Sequence, residues 1–344
     1  MKSLSLALLL LAFSRQVSPA GSPAGMIIGW GDNALYGCNG VPSPRDSAGV
    51  VTIAGQILTN AVAIIGGSDH KMAILTDGTV FSWGDNYLGD ATGFNSNTEA
   101  TNGLVTIDGN ILSNIVAISF GSMAIKSDGR VVGWRFNRDT NIIAGLTNII
   151  AIDSTLALKH DGTVVTWGTG MHGEKLAAPA ELSNVVAIAS GGWDYDMALK
   201  KDGTVAVWYG GSPSPVASTQ SGLSNVVAIA SGFIHHLALK SDGTVFAWGA
   251  NPRGEVTGVP TRSDPTNCTV ALDGHILTNV VSISAGYRFS MALKSDGTVV
   301  AWGENMGRQL NVPAGLSNVV AIAAGYDYCL AITTNRDVAE KFMH

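Results

Sequence analysis

Cysteine is scarce in this 344-residue sequence, which contains only Cys38, Cys268 and Cys329. An odd number leaves at least one thiol unpaired, and the spacing of the three residues matches no zinc-binding pattern. These observations exclude a disulfide framework and a structural zinc site. We therefore expect the fold to be held together by packing.

Charge is also sparse, and positive charge most of all. Charged residues make up 13% of the chain, the formal net charge is −6, and lysine and arginine form no basic run. Phosphate binding depends on clustered lysine and arginine, so the composition argues against a nucleic-acid partner.

No hydrophobic segment is long enough to span a bilayer as a helix. The apolar stretch Leu4–Phe13 follows the positive charge of Lys2 and precedes the small-residue sequence Ser18-Pro19-Ala20. This arrangement is typical of a signal peptide. We predict cleavage after residue 20, with a second possible site after residue 24. The mature chain would carry a charge of −8, since Lys2 and Arg15 are removed. We expect a secreted, periplasmic or cell-surface protein without a membrane anchor.

Sequence motifs of known catalytic, metal-binding and nucleotide-binding sites are also absent. The sequence has no G-x-S-x-G, no H-E-x-x-H, no Walker loop and no EF-hand spacing. GTGMHG at 168–173 has the glycine spacing of a dinucleotide site, but the corresponding slot elsewhere reads WGDN, WGAN or WGEN. That context indicates a loop after a strand and not a strand-to-helix turn. We expect no cofactor, no metal and no catalytic residues.

What the sequence does have is a repeated hairpin. ALKSDGTVFAWG at 238–249 returns as ALKSDGTVVAWG at 292–303. Four further copies lie at 73–84, 124–134, 157–168 and 198–208. The Asp-Gly pair allows the positive φ that a tight hairpin needs, and the flanking residues are apolar and β-branched. Each copy carries a tryptophan, which we expect to be buried and structural.

A second element, of the form LSNVVAIASG, precedes each hairpin and occurs seven times, with the last copy at 316–325. The seventh hairpin begins with YDYCLAITT near the C-terminus, and MIIGWG at 26–31 supplies its missing half. The sequence therefore predicts an all-β fold, a seven-bladed β-propeller closed by a blade that is split between the N- and C-termini. The propeller would occupy residues 26–338 and a tail 339–344.

The hairpin, the LSNVVAIAAG strand and the stretch WGENMGRQLNVP at 302–313 resemble the regulator of chromosome condensation repeat family over about residues 26–338. The resemblance implies the same split-blade propeller. The family's founding member is a guanine-nucleotide exchange factor on chromatin, an activity that the leader and the acidic charge make unexpected here. The repeat sequence is most similar to that of secreted bacterial members of the family, such as a propeller inhibitor of β-lactamases. This similarity implies a β-lactamase-like enzyme as one candidate target.

Variation between the copies is confined to one face. With the strands of a blade lettered A to D, the A–B and C–D loops share one face, the A–B face, and the uniform B–C turns lie on the other. Large aromatic and charged residues are concentrated on the A–B face, a composition typical of protein-binding surfaces. The candidate binding residues are Trp193, Asp194, Phe233, Ile234, Tyr287, Arg288, Tyr326 and Asp327 in A–B loops, and Tyr36, Tyr87 and Arg253 in C–D loops.

We interpret the chain as an exported, monomeric, non-catalytic propeller that binds a protein partner through the A–B face. The alternatives are a secreted lyase or hydrolase with its site at the channel mouth, and a cell-surface structural module. A simpler interpretation is that the large residues only plug the end of the core.

His70 and His235 are expected to be packing residues at strand starts. Three similar segments, at 50–58, 104–112 and 269–277, are expected to complete outer strands.

Overall fold

The computed structural model confirms an all-β propeller. It describes residues 23–32, 48–53, 56–67, 70–86, 91–92, 101–134, 145–169, 176–192, 195–210, 218–220, 223–261 and 266–341. The larger sheets in these residues are antiparallel, and each forms one blade. We number the blades 1 to 7 in the order of their A strands along the chain.

Blades 1, 4 and 5 have four strands, ordered A-B-C-D in space. Blade 1 contains Ala61–Gly66, His70–Leu75, Val80–Gly84 and Thr101–Leu104. Blade 4 contains Val185–Ser190, Tyr195–Lys200, Val205–Tyr209 and Ser218–Thr219. Blade 5 contains Val226–Ser231, His235–Lys240, Val245–Gly249 and Thr266–Thr269.

Blades 2, 3 and 6 show strands A, B and C in the described residues. Blade 2 contains Ile115–Ser119, Met123–Lys126 and Val131–Gly133. Blade 3 contains Ile149–Asp153, Leu156–Lys159 and Val164–Thr166. Blade 6 contains Val280–Ala285, Phe289–Lys294 and Val299–Gly303.

Blade 7 is the split blade that the repeat count predicts. Its strands A and B are Val319–Ala324 and Tyr328–Thr333, its strand C is the N-terminal Met26–Gly31, and its strand D is Gly49–Val50. Strand C pairs with strand B in continuous register from Met26 opposite Thr333 to Gly31 opposite Tyr328. The two ends of the chain are therefore joined by a full antiparallel ladder.

Packing between blades 7 and 1 closes the ring. Ile27 and Leu330 of blade 7 share one buried cluster with Ile64 and Trp83 of blade 1. The hydroxyl of Tyr328 also donates a hydrogen bond across the junction to the carbonyl oxygen of Gly67, at 2.8 Å. Closure leaves no end blade with an uncovered apolar face, which is why no capping repeat is needed.

The repeat tryptophans lie in the core between blades, as expected. They are at most 8% exposed: Trp30, Trp83, Trp134, Trp167, Trp208, Trp248 and Trp302. Two of them also link neighbouring blades, because the indole N–H of Trp30 donates to the backbone oxygen of Gln309 and that of Trp302 donates to the backbone oxygen of Glu255.

The uniform B–C turns are explained by contacts between blades. In blade 5 the Thr244 amide and hydroxyl both donate to the Asp242 carboxylate, and Gly243 has a φ of 77°. The Gly243 carbonyl oxygen then accepts a hydrogen bond from the amide of Val280, the first residue of the next inner strand. The same backbone contact recurs at Ile115, Ile149, Val226 and Val319. Repetition of SDGT and LSN is thus a requirement of blade stacking.

The three similar segments do more than complete outer strands, which corrects the prediction made for them. The outer strands of blades 7, 1 and 5 end within the first residues of these segments, and a ribbon of two short strands follows in each case. The ribbons are Thr52–Ile53 with Gln56–Ile57, Thr106–Ile107 with Asn110–Ile111, and Ala271–Leu272 with His275–Ile276. They begin beside the start of strand C, where Val105 donates to Val80 and Val270 to Val245. They therefore lie toward the B–C turns, away from the A–B face.

A short helix, α1 (Arg336–Lys341), follows the last strand. Its residues Val338 and Ala339 are buried in the same cluster as Met26 and Ile28 of blade 7, so the ordered fold continues past the expected end of the propeller at 338. Among the described residues, no helix has the length and apolar character needed to cross a membrane.

Candidate functional site

The inner strands of all seven blades end around one central cavity of about 240 Å³ on the A–B face. Glycine dominates its floor, with Gly67, Gly191, Gly232, Gly286 and Gly325 among the lining residues. Its wall carries four aromatic side chains: Phe120, Phe233, Tyr287 and Tyr326. The cavity is therefore shallow, glycine-floored and aromatic at its rim.

The glycines are set by the close approach of adjacent blades. A Cβ atom on Gly286 would fall on the ring of Phe289 in its own blade and lie 2.7 Å from the carbonyl oxygen of Gly325 in the next. Gly232 repeats this arrangement with His235 and the carbonyl oxygen of Gly286. Space, and not a positive φ, is what requires glycine at these positions, because neither residue has a left-handed backbone.

Three predicted binding residues form a continuous aromatic row across blades 5, 6 and 7. The ring centroids of Phe233 and Tyr287 are 4.4 Å apart, and those of Tyr287 and Tyr326 are 4.0 Å apart with an interplanar angle of 18°. Tyr326 is 43% exposed, and the other two rings are partly exposed. A side-chain hydrogen bond with Tyr287 raises the pKa of Tyr326 to about 12, so this phenol stays protonated at neutral pH.

The remaining candidates fall into two groups. Ile234, Arg288 and Asp327 lie beside the row and are partly exposed, and Arg253 is brought to the same face by the C–D loop of blade 5. Four candidates lie outside the described residues: Tyr36, Tyr87, Trp193 and Asp194. The binding role of all of them stays a prediction.

Charged side chains from A–B and C–D loops meet next to the row. The guanidinium carbon of Arg288 lies 5.2 Å from the ring centroid of Tyr287, and its Nε is buried without a hydrogen-bond partner in the described residues. The Nε of Arg253 lies 3.3 Å from Oε1 of Glu304. Blades 5 and 6 are therefore joined by an ion pair at the outer edge of the A–B face.

Two carboxyl groups in this region sit in an unfavourable environment. Burial raises the pKa of Asp327, the carboxylates of Glu304 and Asp32 raise it further, and Arg288 opposes them. Burial also raises the pKa of Glu255, which is fully buried, and Glu304 adds to this effect. Arg288 is thus the shared counter-charge of at least two carboxylates.

His70 and His235 occupy the structural role predicted for them. They are 5% and 0% exposed, and their Nε2 atoms lie 3.3 Å and 2.9 Å from the hydroxyls of Ser122 and Ser290 in the following blades. Ser290 also donates to the backbone oxygen of Glu255. These histidines connect neighbouring blades at the start of strand B.

His236, whose ring centroid lies 5.4 Å from that of Trp248, should make the stability of the fold sensitive to mild acid. Burial lowers the pKa of His236 to about 4, and its Nδ1 lies 2.8 Å from the hydroxyl of Ser231. Above pH 6.5 the ring is neutral in both states. As the pH falls toward 4, His236 takes up a proton in the unfolded chain and stays largely neutral in the folded chain. The free energy of unfolding should therefore drop by up to about 3 kcal/mol.

The His236→Gln variant should lose most of this dependence between pH 6.5 and 4 in urea titrations, whereas His160→Gln, at an exposed turn, should keep it. The aspartates of the B–C turns titrate at a lower pH than this range. The hydrogen bond from the Thr244 side chain, for example, holds the pKa of Asp242 below 3.8. Their contribution is lost only below that pH. Equal pH profiles for the wild type and His236→Gln would refute the assignment.

Some residues of the face were missed by sequence reasoning. Phe120 is 38% exposed and lines the cavity, although its loop is too short to attract attention. Tyr195 is 45% exposed, with its ring centroid 5.5 Å from that of Tyr209. Glu255 and Glu304 come from slots that read as ordinary turn residues in the repeat. Only three-dimensional proximity to Arg288 distinguishes them.

Comparison with known proteins agrees with the repeat pattern. Three segments, 61–90, 226–255 and 280–306, match the Regulator of chromosome condensation (RCC1) repeat. The ultraviolet-B receptor UVR8 of Arabidopsis thaliana is 27% identical over 83% of this chain, which spans 61% of the receptor. Protein pim1 of Schizosaccharomyces pombe is 26% identical over 69% of this chain and 36% of its own length. The chain thus spans less than two thirds of either relative.

Solved structures show the same fold. Prp20p of Saccharomyces cerevisiae superposes with a TM-score of 0.68 at 18% identity, covering 95% of each chain. Human WBSCR16 superposes with a TM-score of 0.63 at 15% identity, covering 91% of this chain and all of the other. Together with the repeat matches and the split blade, these likenesses show that the chain is an RCC1-like β-propeller.

Proposed function

We propose that this chain is an exported binding propeller that docks a protein partner through its A–B face. The observation that carries the proposal is the aromatic row of Phe233, Tyr287 and Tyr326. Three rings in adjacent blades, one pair tilted and the other stacked, form an apolar strip that is open to solvent at Tyr326 and has Arg288 and Asp327 beside it. Aromatic residues with a polar rim are the composition of binding hot spots.

The inner side of the row adds to this support. The cavity beside it offers Asp153 as the carboxylate of its described lining, and Oδ2 of Asp153 already accepts a hydrogen bond from the amide of Ser190. The described lining of the cavity holds no second carboxylate and no histidine, cysteine or lysine that could act with Asp153 in a lyase or hydrolase site. The carboxylates that converge on Arg288 lie beside the row and outside this lining. The proposal that the protein is exported rests on the leader-like sequence of residues 1–20.

The solved relatives support a protein partner in general terms. The structure of Prp20p was described together with its binding to Gsp1p and histones. The likeness in fold is compatible with protein recognition on the same scaffold, but these partners belong to that protein. A fold carries many functions, so the identity of the partner must come from the face itself.

We expect single alanine substitutions of Phe233, Tyr287 and Tyr326 to weaken binding without unfolding the protein. The partner would first be captured from the secreted fraction on immobilised mature protein and then titrated. Tyr287→Ala, in the centre of the row, should weaken binding by about 2 kcal/mol, roughly thirtyfold. The midpoint of thermal unfolding should shift little, because substitutions at exposed sites usually stay within about 0.5 kcal/mol.

The matched control is Thr244→Ala on the opposite face, which should leave binding unchanged. The plugging interpretation predicts a different pattern, in which all three aromatic variants lose about 3 kcal/mol or more of stability. Three destabilised variants with normal binding by the folded fraction would overturn the proposed function.

A further inference from the structure

We propose that the A–B face recognises a basic protein segment, with a lysine or arginine side chain held between the aromatic row and the carboxylate of Asp327. The inference rests on the proposed function, since it names the chemistry of the partner that the same face binds. It follows from carboxylates without a close counter-charge that lie beside an aromatic row open to solvent at Tyr326.

The first observation is that the carboxylates here share too few counter-charges. Glu255 and Asp327 both face Arg288, and both also face Glu304. Arg288 makes no ion pair within 4 Å in the described residues, so it neutralises neither carboxylate closely. Asp32 adds a further negative charge near Asp327.

Two carboxylates beside the row, those of Asp327 and Glu255, thus have no guanidinium within ion-pair distance in the described residues, and Asp327 is partly exposed. Negative charge at a surface attracts cationic partners and speeds their association.

The second observation is a buried carboxylate oxygen without a partner. Glu255 is fully buried, and its Oε2 accepts a hydrogen bond from the amide of Arg253 at 2.7 Å. Its Oε1 has no hydrogen-bond donor in the described residues. A buried acceptor left unsatisfied is costly, and it adds to the negative potential next to Arg288 and Glu304.

The third observation concerns the rings. The faces of stacked tyrosine and phenylalanine rings are negative and attract cations within about 6 Å of the centroid. The guanidinium of Arg288 already lies 5.2 Å from the centroid of Tyr287, which shows that the row accepts a cation. Tyr326, at 43% exposure, leaves its ring available to a second one. The aliphatic stem of a lysine or arginine can pack on this ring while its charge reaches Asp327.

The test uses three labelled peptides that alternate leucine with lysine, glutamine or glutamate. They are titrated against the full mature protein by fluorescence anisotropy. We expect the lysine peptide to bind roughly tenfold more tightly than the glutamine peptide, with affinity that falls as salt is added. The glutamate peptide should bind most weakly.

The variants assign the preference to this patch. Asp327→Asn keeps the shape of the side chain and should reduce the preference for lysine over glutamine severalfold. It should not destabilise the fold, because the charged form of Asp327 is already disfavoured by its surroundings. The control, Asp273→Asn, removes the same charge from an exposed ribbon turn toward the opposite face and should leave the preference intact.

Equal affinities for the three peptides, a preference for the glutamate peptide, or no saturable binding of the lysine peptide would overturn the basic-partner inference. The proposed function would stand on its own in any of these cases if Tyr287→Ala still weakened binding of the captured partner. Loss of lysine preference in Asp273→Asn as well would also contradict the assignment, because it would show a general charge effect.

Discussion

Removal of residues 21–31 from a chain that begins at residue 21 should abolish cooperative folding. The deletion takes away Met26–Gly31, six residues that are all buried and that pair along their whole length with Tyr328–Thr333. It also removes Trp30, whose burial alone contributes up to about 4–6 kcal/mol. A loss of that size is a large part of the free energy of unfolding of a typical domain. Circular dichroism melts should show no sharp transition.

The matched control is a chain that begins at Gly25, which retains the strand and loses only the residues before it. Pro23 and Ala24 are exposed, and this control should melt like the chain that begins at residue 21. If the shorter chain, without the strand, unfolded at the same temperature as the control, closure by the split blade would be wrong.

Gly286→Ala should produce the second largest loss, about 3 kcal/mol of unfolding free energy, near the upper end for overpacked sites. The added methyl group would meet the ring of Phe289, which is fully buried, and the backbone of Gly325 in the next blade. Neither can move without separating blades 6 and 7. Urea titration measures the loss directly.

Gly274→Ala is the control that separates the free-energy cost of lacking space from the cost of backbone strain. Gly274 has a φ of 78°, and a Cβ atom there would meet no heavy atom within 4 Å. Its substitution should cost about 1 kcal/mol, from the left-handed conformation alone. If Gly286→Ala cost no more than this control, the close approach of the inner strands around the cavity would be disproved.

Much of the fold could be predicted because the repeat is itself a structural unit. Asp-Gly turns and alternating apolar residues defined the hairpins, and the mismatch of seven inner strands with six hairpins revealed the split blade. The ribbons were missed, although two of them carry the same turn signal as the hairpins. Asp108-Gly109 and Asp273-Gly274 have positive φ values and connect the two short strands of their ribbons. Their flanking residues, such as Ile111 and Ile276, have the β-branched pattern of an outer strand, which concealed the turn.

The candidate site was predictable only in part. Variation between copies identified Tyr287 and Tyr326, because aromatic residues at one slot of an otherwise uniform repeat are conspicuous. The packing of Phe233 against Tyr287 and the crowding of carboxylates around Arg288 depend on contacts between different blades. Sequence spacing within one repeat contains no information on such contacts, so Glu255 and Glu304 went unrecognised.

Site-specific photo-crosslinking tests the central claim, recognition through the A–B face, most directly. A benzophenone amino acid would replace either Tyr326, 43% exposed in the aromatic row, or Ile276, 59% exposed on a ribbon toward the opposite face. Both positions are open to solvent, so the two labelled proteins differ mainly in the face they report. Irradiation with the captured partner should yield a covalent complex from position 326 and none from position 276. A complex formed from position 276 and not from position 326 would contradict recognition through the A–B face.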